Sequence, residues 1–320
     1  MSTIKKRLTT SVVYVLVTVA LCALKWCVPH TNTLVFGREI YWGSLGFDLL
    51  FCAISILGCL EFLRIMGGSG ANGTSSISLP QRTFTVAFCA LTVPLYVLVE
   101  LTVQAGLFAM VCAFAIYFMF LAATSVFDHE KSTVKGTVAC VFGMLYCGVL
   151  STILAAINHL PRNSMAAILV LLLCTMFTDT GAYLIGTVFK RWIPLKLAPQ
   201  LSPNKTVIGA VGGIIGGILG AIVAYLLIRY LGGYNVAGFN DVMLTFTSEK
   251  IHPLVSFILI GLCTAVLAQI GDLFESAIKR ECGVKDTGSL LPGHGGVLDR
   301  FDSMLYCGMV VLLAFGTIIA

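Results

Sequence analysis

MAAILVLLLCTMFTDTGAYLIGTV, residues 165–188, runs for more than twenty positions with a single charged residue, Asp179. An α-helix needs about 20 mainly apolar residues to cross roughly 30 Å of hydrocarbon, so this stretch is long enough to span a bilayer. Eight further stretches share its length and character: 9–28, 46–66, 83–102, 105–125, 136–157, 208–231, 253–271 and 303–320. The composition agrees. Of 320 residues, 58% are apolar and 11% charged, and the mean hydropathy of +0.96 lies far outside the soluble globular range. The sequence therefore predicts an all-α fold, a polytopic integral membrane protein with about nine transmembrane helices.

Lys5, Lys6 and Arg7 precede the first stretch. Its apolar run is too long for a signal peptide and no small-residue cleavage site follows, so it reads as a retained helix. Nine spans with a cytoplasmic N-terminus place fifteen of the twenty bases on the cytoplasmic side and leave Lys25, Arg38, Arg162, Arg229 and Lys250 opposite, as the positive-inside rule requires. Connections between spans are too short for a soluble domain, and the Gly/Ser stretch from Gly67 to Ser78 reads as a loop. One membrane domain over 1–320 is the economical division, with 1–164 mainly scaffold and 165–320 the chemistry-bearing half. The twelve cysteines follow no metal or disulfide spacing and read as small packing residues.

Polar residues are few before residue 170. Glu61 and Glu100 lie close to helix ends and read as packing or interfacial acids, with a functional intramembrane role as the sharper alternative. Asp179 is deep enough in its span to favour a polar interior over lipid. In 208–231, Gly212, Gly216 and Gly220 recur every four residues, beside a second row of Gly209, Gly213 and Gly217. Such rows let helix backbones approach closely; no Walker pattern accompanies them.

Charge concentrates between Asp272 and Asp302: Asp272, Glu275, Lys279, Arg280, Glu281, Lys285, Asp286, Asp299, Arg300 and Asp302. A solvated loop would explain density alone, but spacing narrows the reading. If the eighth helix continues past the membrane surface, Asp272, Ser276, Lys279 and Arg280 share one stripe. Pro292 and the glycines of LPGHGGVLDRFD then force a turn that could return Asp299 towards Asp272. Two carboxylates ringed by cations suit Mg²⁺ carrying a polyphosphate, since Mg²⁺ takes one or two protein carboxylates together with phosphate oxygens. A transporter's ion site would more often sit at the bilayer midplane. His294, alone between glycines, suits a structural or phosphate-contacting role at least as well as a general base.

The run SAIKRECGVKDTGSLLPGHGGVLDRFD, Ser276 to Asp302, resembles the signature of the phosphatidate cytidylyltransferases, or CDP-diacylglycerol synthases. Its fixed elements are present as Ser276, Lys279-Arg280, Lys285-Asp286, Pro292, His294-Gly295-Gly296, Asp299-Arg300 and Asp302. The resemblance extends to Gln269, Gly271 and Asp272, to the loop Ser202 to Thr206, and to Asp179 through Tyr183, while the first half matches mainly in hydropathy. In many members a Glu stands where this chain has Ile208, so any polar role of that Glu does not carry over.

The resemblance implies condensation of CTP with phosphatidate to give CDP-diacylglycerol and diphosphate. Asp272 and Asp299 match the family's metal-site aspartates, so Mg²⁺ is the expected cofactor, with a second cation beside it as a further possibility. Lys205, Lys279, Arg280 and Arg300 are the candidate phosphate contacts, with Ser202 and Thr206 as hydrogen-bond donors. Lys279 is also assigned a catalytic role, and Asp179, Ser276, Lys285 and His294 complete the expected substrate site. Asp286 and Asp302 read equally as orienting acids or ordinary ion-pair partners. The expected partners are CTP, phosphatidate, membrane lipids and a second copy of the chain, but no nucleic acid. The expected setting is a bacterial plasma membrane, with the site at the cytoplasmic face. A secondary transporter and a CTP-dependent polyprenol or phytol kinase are the competing readings.

Overall fold

In a computed structural model of the chain, residues 3–27, 33–35, 38–40, 42–68, 77–127, 132–160, 163–233, 252–291 and 295–318 are described. Among the described residues, the apolar stretches are largely helical. In chain order they form α1 (Thr3–Cys27), α2 (Leu45–Met66), α3 (Leu79–Val103), α4 (Gly106–Phe127), α5 (Val134–Gly143) continued through a π-helical segment into α6 (Leu150–Asn158), α7 (Ser164–Phe189), α8 (Val207–Gly233), α9 (Pro253–Glu281) and α10 (Leu298–Leu313). Among the described residues, seven helices are long and apolar enough to cross a membrane, and α1 adds a shorter apolar run, Val12–Trp26. Among the described residues the strands form two short antiparallel hairpins: β1 (Thr33–Val35) with β2 (Arg38–Ile40), and β3 (Lys196–Ala198) with β4 (Ser202–Thr206). The protein is thus an all-α polytopic membrane protein. Large apolar side chains on α4 point outward, with Phe108 71% and Met119 72% exposed, which suits lipid and not water.

The chain forms two compact units. The first, Met1–Ala156 with Glu281–Phe301, has an aromatic core of Phe47, Phe51 and Phe62, all buried. The α3 helix opens on a capping box: Ser78 Oγ accepts from Gln81 N, and Gln81 Oε1 accepts from Ser78 N, which satisfies two backbone donors that the first turn would leave unpaired. Gln81 then reaches inward, donating to Thr137 Oγ1 at 3.0 Å and Ser125 Oγ at 3.3 Å. Ser55 Oγ donates to Cys89 O at 2.8 Å and ties α2 to α3. Polar side chains on these helices thus find partners on neighbouring helices.

The second unit, Ile157–Arg280 with Asp302–Ala320, is organised by the glycines of α8. A Cβ at Gly216 would overlap the Phe177 carbonyl oxygen, and one at Gly220 would lie 2.7 Å from Leu173 O, so this row seats α8 against α7. The adjacent row faces α9 as well: a Cβ at Gly217 would come 2.6 Å from Ala265 Cβ, and one at Gly213 would come 2.9 Å from Gln269 Nε2. Two rows therefore serve two neighbours, as the spacing predicts for close helix packing. Gln269 Nε2 also donates to Ala210 O at 3.2 Å, joining α9 to the start of α8. With 29 residues, α9 is about 43 Å long, which exceeds the roughly 30 Å of hydrocarbon. Its C-terminal turns, which carry Asp272 to Glu281, extend beyond the apolar span.

Candidate active site

In the second unit the site grows from three elements. The segment after α7 turns back as the hairpin β3–β4, in which Lys196 pairs with Thr206 and Ala198 with Ser202. Thr206 ends the hairpin and starts α8, its Oγ1 accepting from Gly209 N at 3.1 Å, an N-cap that fixes where the strand stops. Lys205, one residue earlier, is half-buried and its Nζ lies 2.5 Å from Asp272 Oδ2. On α9, Glu275 is buried and its Oε2 lies 2.5 Å from Lys279 Nζ. One residue on from Lys279, Arg280 Nε donates to Leu201 O at 3.1 Å, which anchors the hairpin to the helix.

Asp302, in the first turns of α10, completes the group. One carboxylate oxygen each from Asp272, Glu275 and Asp302 lie within 4.8 Å of one another. Asp302 is buried and its Oδ1 accepts from Ser303 N at 2.6 Å. It lies just ahead of the last apolar run, and its carboxyl is held well above the usual carboxylate range. Burial is the chief cause, the neighbouring Asp272 carboxylate the next, and Asp179 adds to it against the opposing Ser303 amide and Lys279. Converging carboxylates raise each other's cost of ionisation. A hard divalent cation relieves that cost and takes oxygen ligands of this kind, so the donor set fits Mg²⁺.

In the first unit, Thr287 and the backbone of Gly296, Val297 and Leu298 are held by two further acids. Asp299 Oδ2 accepts from Gly296 N at 2.7 Å, Thr287 N at 3.0 Å and Thr287 Oγ1 at 3.0 Å. Glu61, on α2, accepts from Val297 N and Leu298 N at 3.0 Å and from Thr287 Oγ1 at 3.2 Å. The paired glycines have separate reasons. Gly295 has φ +88°, a left-handed conformation that a side chain resists, and a Cβ there would meet Asp299 Oδ2 at 2.6 Å. A Cβ at Gly296 would overlap both Thr287 Oγ1 and the Glu61 carboxylate.

A profile of the Cytidylyltransferase family matches residues 5–318. The chain belongs to that family. Among its relatives, the phosphatidate cytidylyltransferase of Bacillus subtilis (strain 168) is 35% identical over 163 residues, covering 51% of this chain and 52% of the relative. That of Staphylococcus haemolyticus (strain JCSC1435) is 32% identical over 192 residues, 60% and 64% of the two chains. That of Haemophilus influenzae (strain ATCC 51907 / DSM 11121 / KW20 / Rd) is 34% identical over 157 residues, 49% and 48%. The chain thus spans about half to just under two thirds of the length of these relatives.

In this family member the sequence-predicted residues fall into two groups. Asp272, Lys205 and Lys279 come together, with Thr206 and Arg280 binding the hairpin that supplies Lys205. Ser276 is buried on α9, Ser202 is half-buried on β4, and Asp179 is exposed on α7 yet close enough to act on Asp302. Asp299 belongs to the other unit, where its Oδ2 holds the glycine turn; the carboxylates that gather with Asp272 are Glu275 and Asp302. Lys285 and Arg300 are exposed. His294 and Pro292 lie outside the described residues. Sequence reasoning left Glu275 out of the site, although its i+3 spacing from Asp272 was a usable signal. The sequence marks Glu61 only as an acid in an apolar stretch and does not show its partners.

Proposed function

We propose that the protein transfers the cytidylyl group of CTP to phosphatidate, releasing diphosphate and leaving CDP-diacylglycerol in the membrane. The observation that carries this reading is the convergence of Asp272, Glu275 and Asp302 with Lys205 and Lys279, on and beside the signature of a cytidylyltransferase family member. In the reaction, a phosphatidate phosphate oxygen forms a bond to the α-phosphorus of CTP. The bond from that phosphorus to the α–β bridging oxygen breaks, and its electron pair leaves with diphosphate. The attacking oxygen is already anionic near neutral pH, so no proton need be abstracted. The difficulty is to align two anions and to neutralise the charge that builds on the leaving group.

The chain's residues answer that difficulty. Lys205 and Lys279 are preordered by Asp272 and Glu275, and in the proposal both present their ammonium groups to CTP phosphates. Arg280, Lys285 and Arg300 add further cationic contacts, Ser202, Thr206 and Ser276 offer hydroxyl donors, and Asp179 and His294 complete the substrate site. Asp272, Glu275 and Asp302 are the proposed Mg²⁺ ligands, and Asp299 of the sequence-predicted pair stays in the proposal at the N-terminal turn of α10. When bound, the metal supplies positive charge to the phosphate oxygens and the departing diphosphate. Nine spans, a cytoplasmic N-terminus and a site at the cytoplasmic face of a plasma membrane are proposed with it, supported by the segregation of bases along the chain.

The test is to incubate purified protein with CTP, Mg²⁺ and phosphatidate and to identify both products. CDP-diacylglycerol together with diphosphate is the expected result. Release of CDP with a newly phosphorylated lipid alcohol would instead assign a CTP-dependent kinase, and absence of any nucleotide product from folded protein would overturn the reading.

A further inference from the structure

We infer that Glu61 is a positioning residue for the signature, fixing Thr287 and the backbone of Val297 and Leu298 and through them the places of Asp299 and Arg300. The inference rests on the proposed function, in that the turn matters to catalysis only if the signature carries the reaction. Glu61 stands near the C-terminal end of α2, in sequence more than two hundred positions before its partners. Its two oxygens divide the work. Oε1 accepts from Val297 N and Oε2 from Leu298 N, each at 3.0 Å, and Oε2 lies 3.2 Å from Thr287 Oγ1.

Val297 N and Leu298 N open α10, where backbone donors have no partner within the helix and a negative charge is favoured. A carboxylate from another helix therefore acts as an external cap and sets where α10 begins. Asp299 follows immediately, so its carboxylate is aimed by that cap and by its own bonds to Thr287 and Gly296. Thr287 couples the two acids, because its one hydroxyl proton lies within hydrogen-bond distance of both carboxylates. The surrounding chain is cut to fit. A Cβ at Gly288 would stand 2.5 Å from Glu61 Oε1, and one at Gly296 would overlap Oε2. Two glycines thus leave room for this one side chain, more than a packing acid at a helix end needs.

The experiment compares the full-length wild type with Glu61→Ala, Glu61→Gln and Thr287→Val. It measures kcat, the KM for CTP, and hydrogen–deuterium exchange over 284–300. Glu61→Ala is expected to lower kcat/KM about 100-fold, the scale of a misplacement near 1 Å, with a raised KM for CTP and faster exchange at Val297 and Leu298. Glu61→Gln keeps one acceptor and should fall between. Thr287→Val should loosen the turn less than Glu61→Ala. A purely structural loss would cut the active fraction, lowering kcat and leaving KM unchanged. Unchanged KM and unchanged exchange in Glu61→Ala, or in Glu61→Gln if the alanine variant does not fold, would overturn the inference. A wild type that makes no CDP-diacylglycerol would defeat the proposed function instead, while the exchange comparison would still decide whether Glu61 holds the turn.

Discussion

Asp302 lies at the start of α10 with its carboxylate buried beside those of Asp272 and Glu275. Its raised pKa makes the folded, metal-free protein hold a proton that the unfolded chain would release, through the window from the ordinary carboxylate value up to the raised one. Stability in the absence of metal should therefore fall as pH rises through that window, because the native state binds more protons than the unfolded state. Thermal unfolding in EDTA at pH 5 and pH 8 checks this. Asp302→Asn should flatten the difference, and a wild type equally stable at both values would remove the basis for it. The same proton must leave when a cation arrives, so Mg²⁺ added in weak buffer should release protons from the wild type and fewer from Asp302→Asn.

The residue scale also shows what a sequence conveys. Asp272, Ser276, Lys279 and Arg280 were legible as one stripe because helical spacing is local. Glu275 lies three positions from Asp272 and was equally legible by spacing, but beside Lys279 at i+4 it resembles an ordinary surface ion pair. Its burial distinguishes it, and burial depends on the packing of other elements. Glu61 is legible as an acid in an apolar stretch, but its role is not: its partners are far along the chain, and nothing local to α2 announces them. Asp272→Asn and Glu275→Gln should each reduce turnover on the order of 100-fold or more, since each removes a charge from the set proposed to hold the metal. Assays over a range of Mg²⁺ concentrations check both, and near-normal turnover at limiting Mg²⁺ would exclude the altered residue from that set.

At the scale of elements, the glycine rows of α8 were readable because a four-residue recurrence on a helix can only make a face. Which neighbour each row meets was not, since the period identifies a face and not its partner. The structure assigns one row to α7 and the other to α9 as well. Gly216→Ala should destabilise the protein by about 1–3 kcal/mol, the usual cost of forcing volume into a packed contact, because its Cβ would overlap Phe177 O. Leu219→Ala, on the exposed face of the same helix, should change stability little. Unfolding in detergent followed by heating separates them, and equal shifts would contradict the packing role. The hairpin β3–β4 is legible in the sequence only as a loop, Ser202 to Thr206. Its strands are too short and polar to show a period, yet their pairing places Lys205 beside Asp272.

At the scale of the whole molecule, the ion pair between Lys205 and Asp272 bears on topology. Lys205 stands at the start of α8 and Asp272 beyond the apolar part of α9, with two membrane-length helices between them. A separation of 2.5 Å means that the chain leaves one end of the pair along α8 and returns to it along α9, so the α7–α8 connection and the C-terminal turns of α9 lie together. On the proposed nine-span topology that end lies on the face of the N-terminus, and the excess of bases assigned to that face is what supports the proposal of a cytoplasmic site. CTP cannot cross a bilayer unaided, which turns the topology into a measurement. Inverted membrane vesicles supplied with external labelled CTP should form CDP-diacylglycerol, and sealed right-side-out vesicles should do so only after permeabilisation. Alkaline phosphatase fused after Ala320 should be active, since nine spans put Ala320 on the opposite side. An inactive fusion would remove one span from the count, and synthesis by intact right-side-out vesicles would reverse the face of the site.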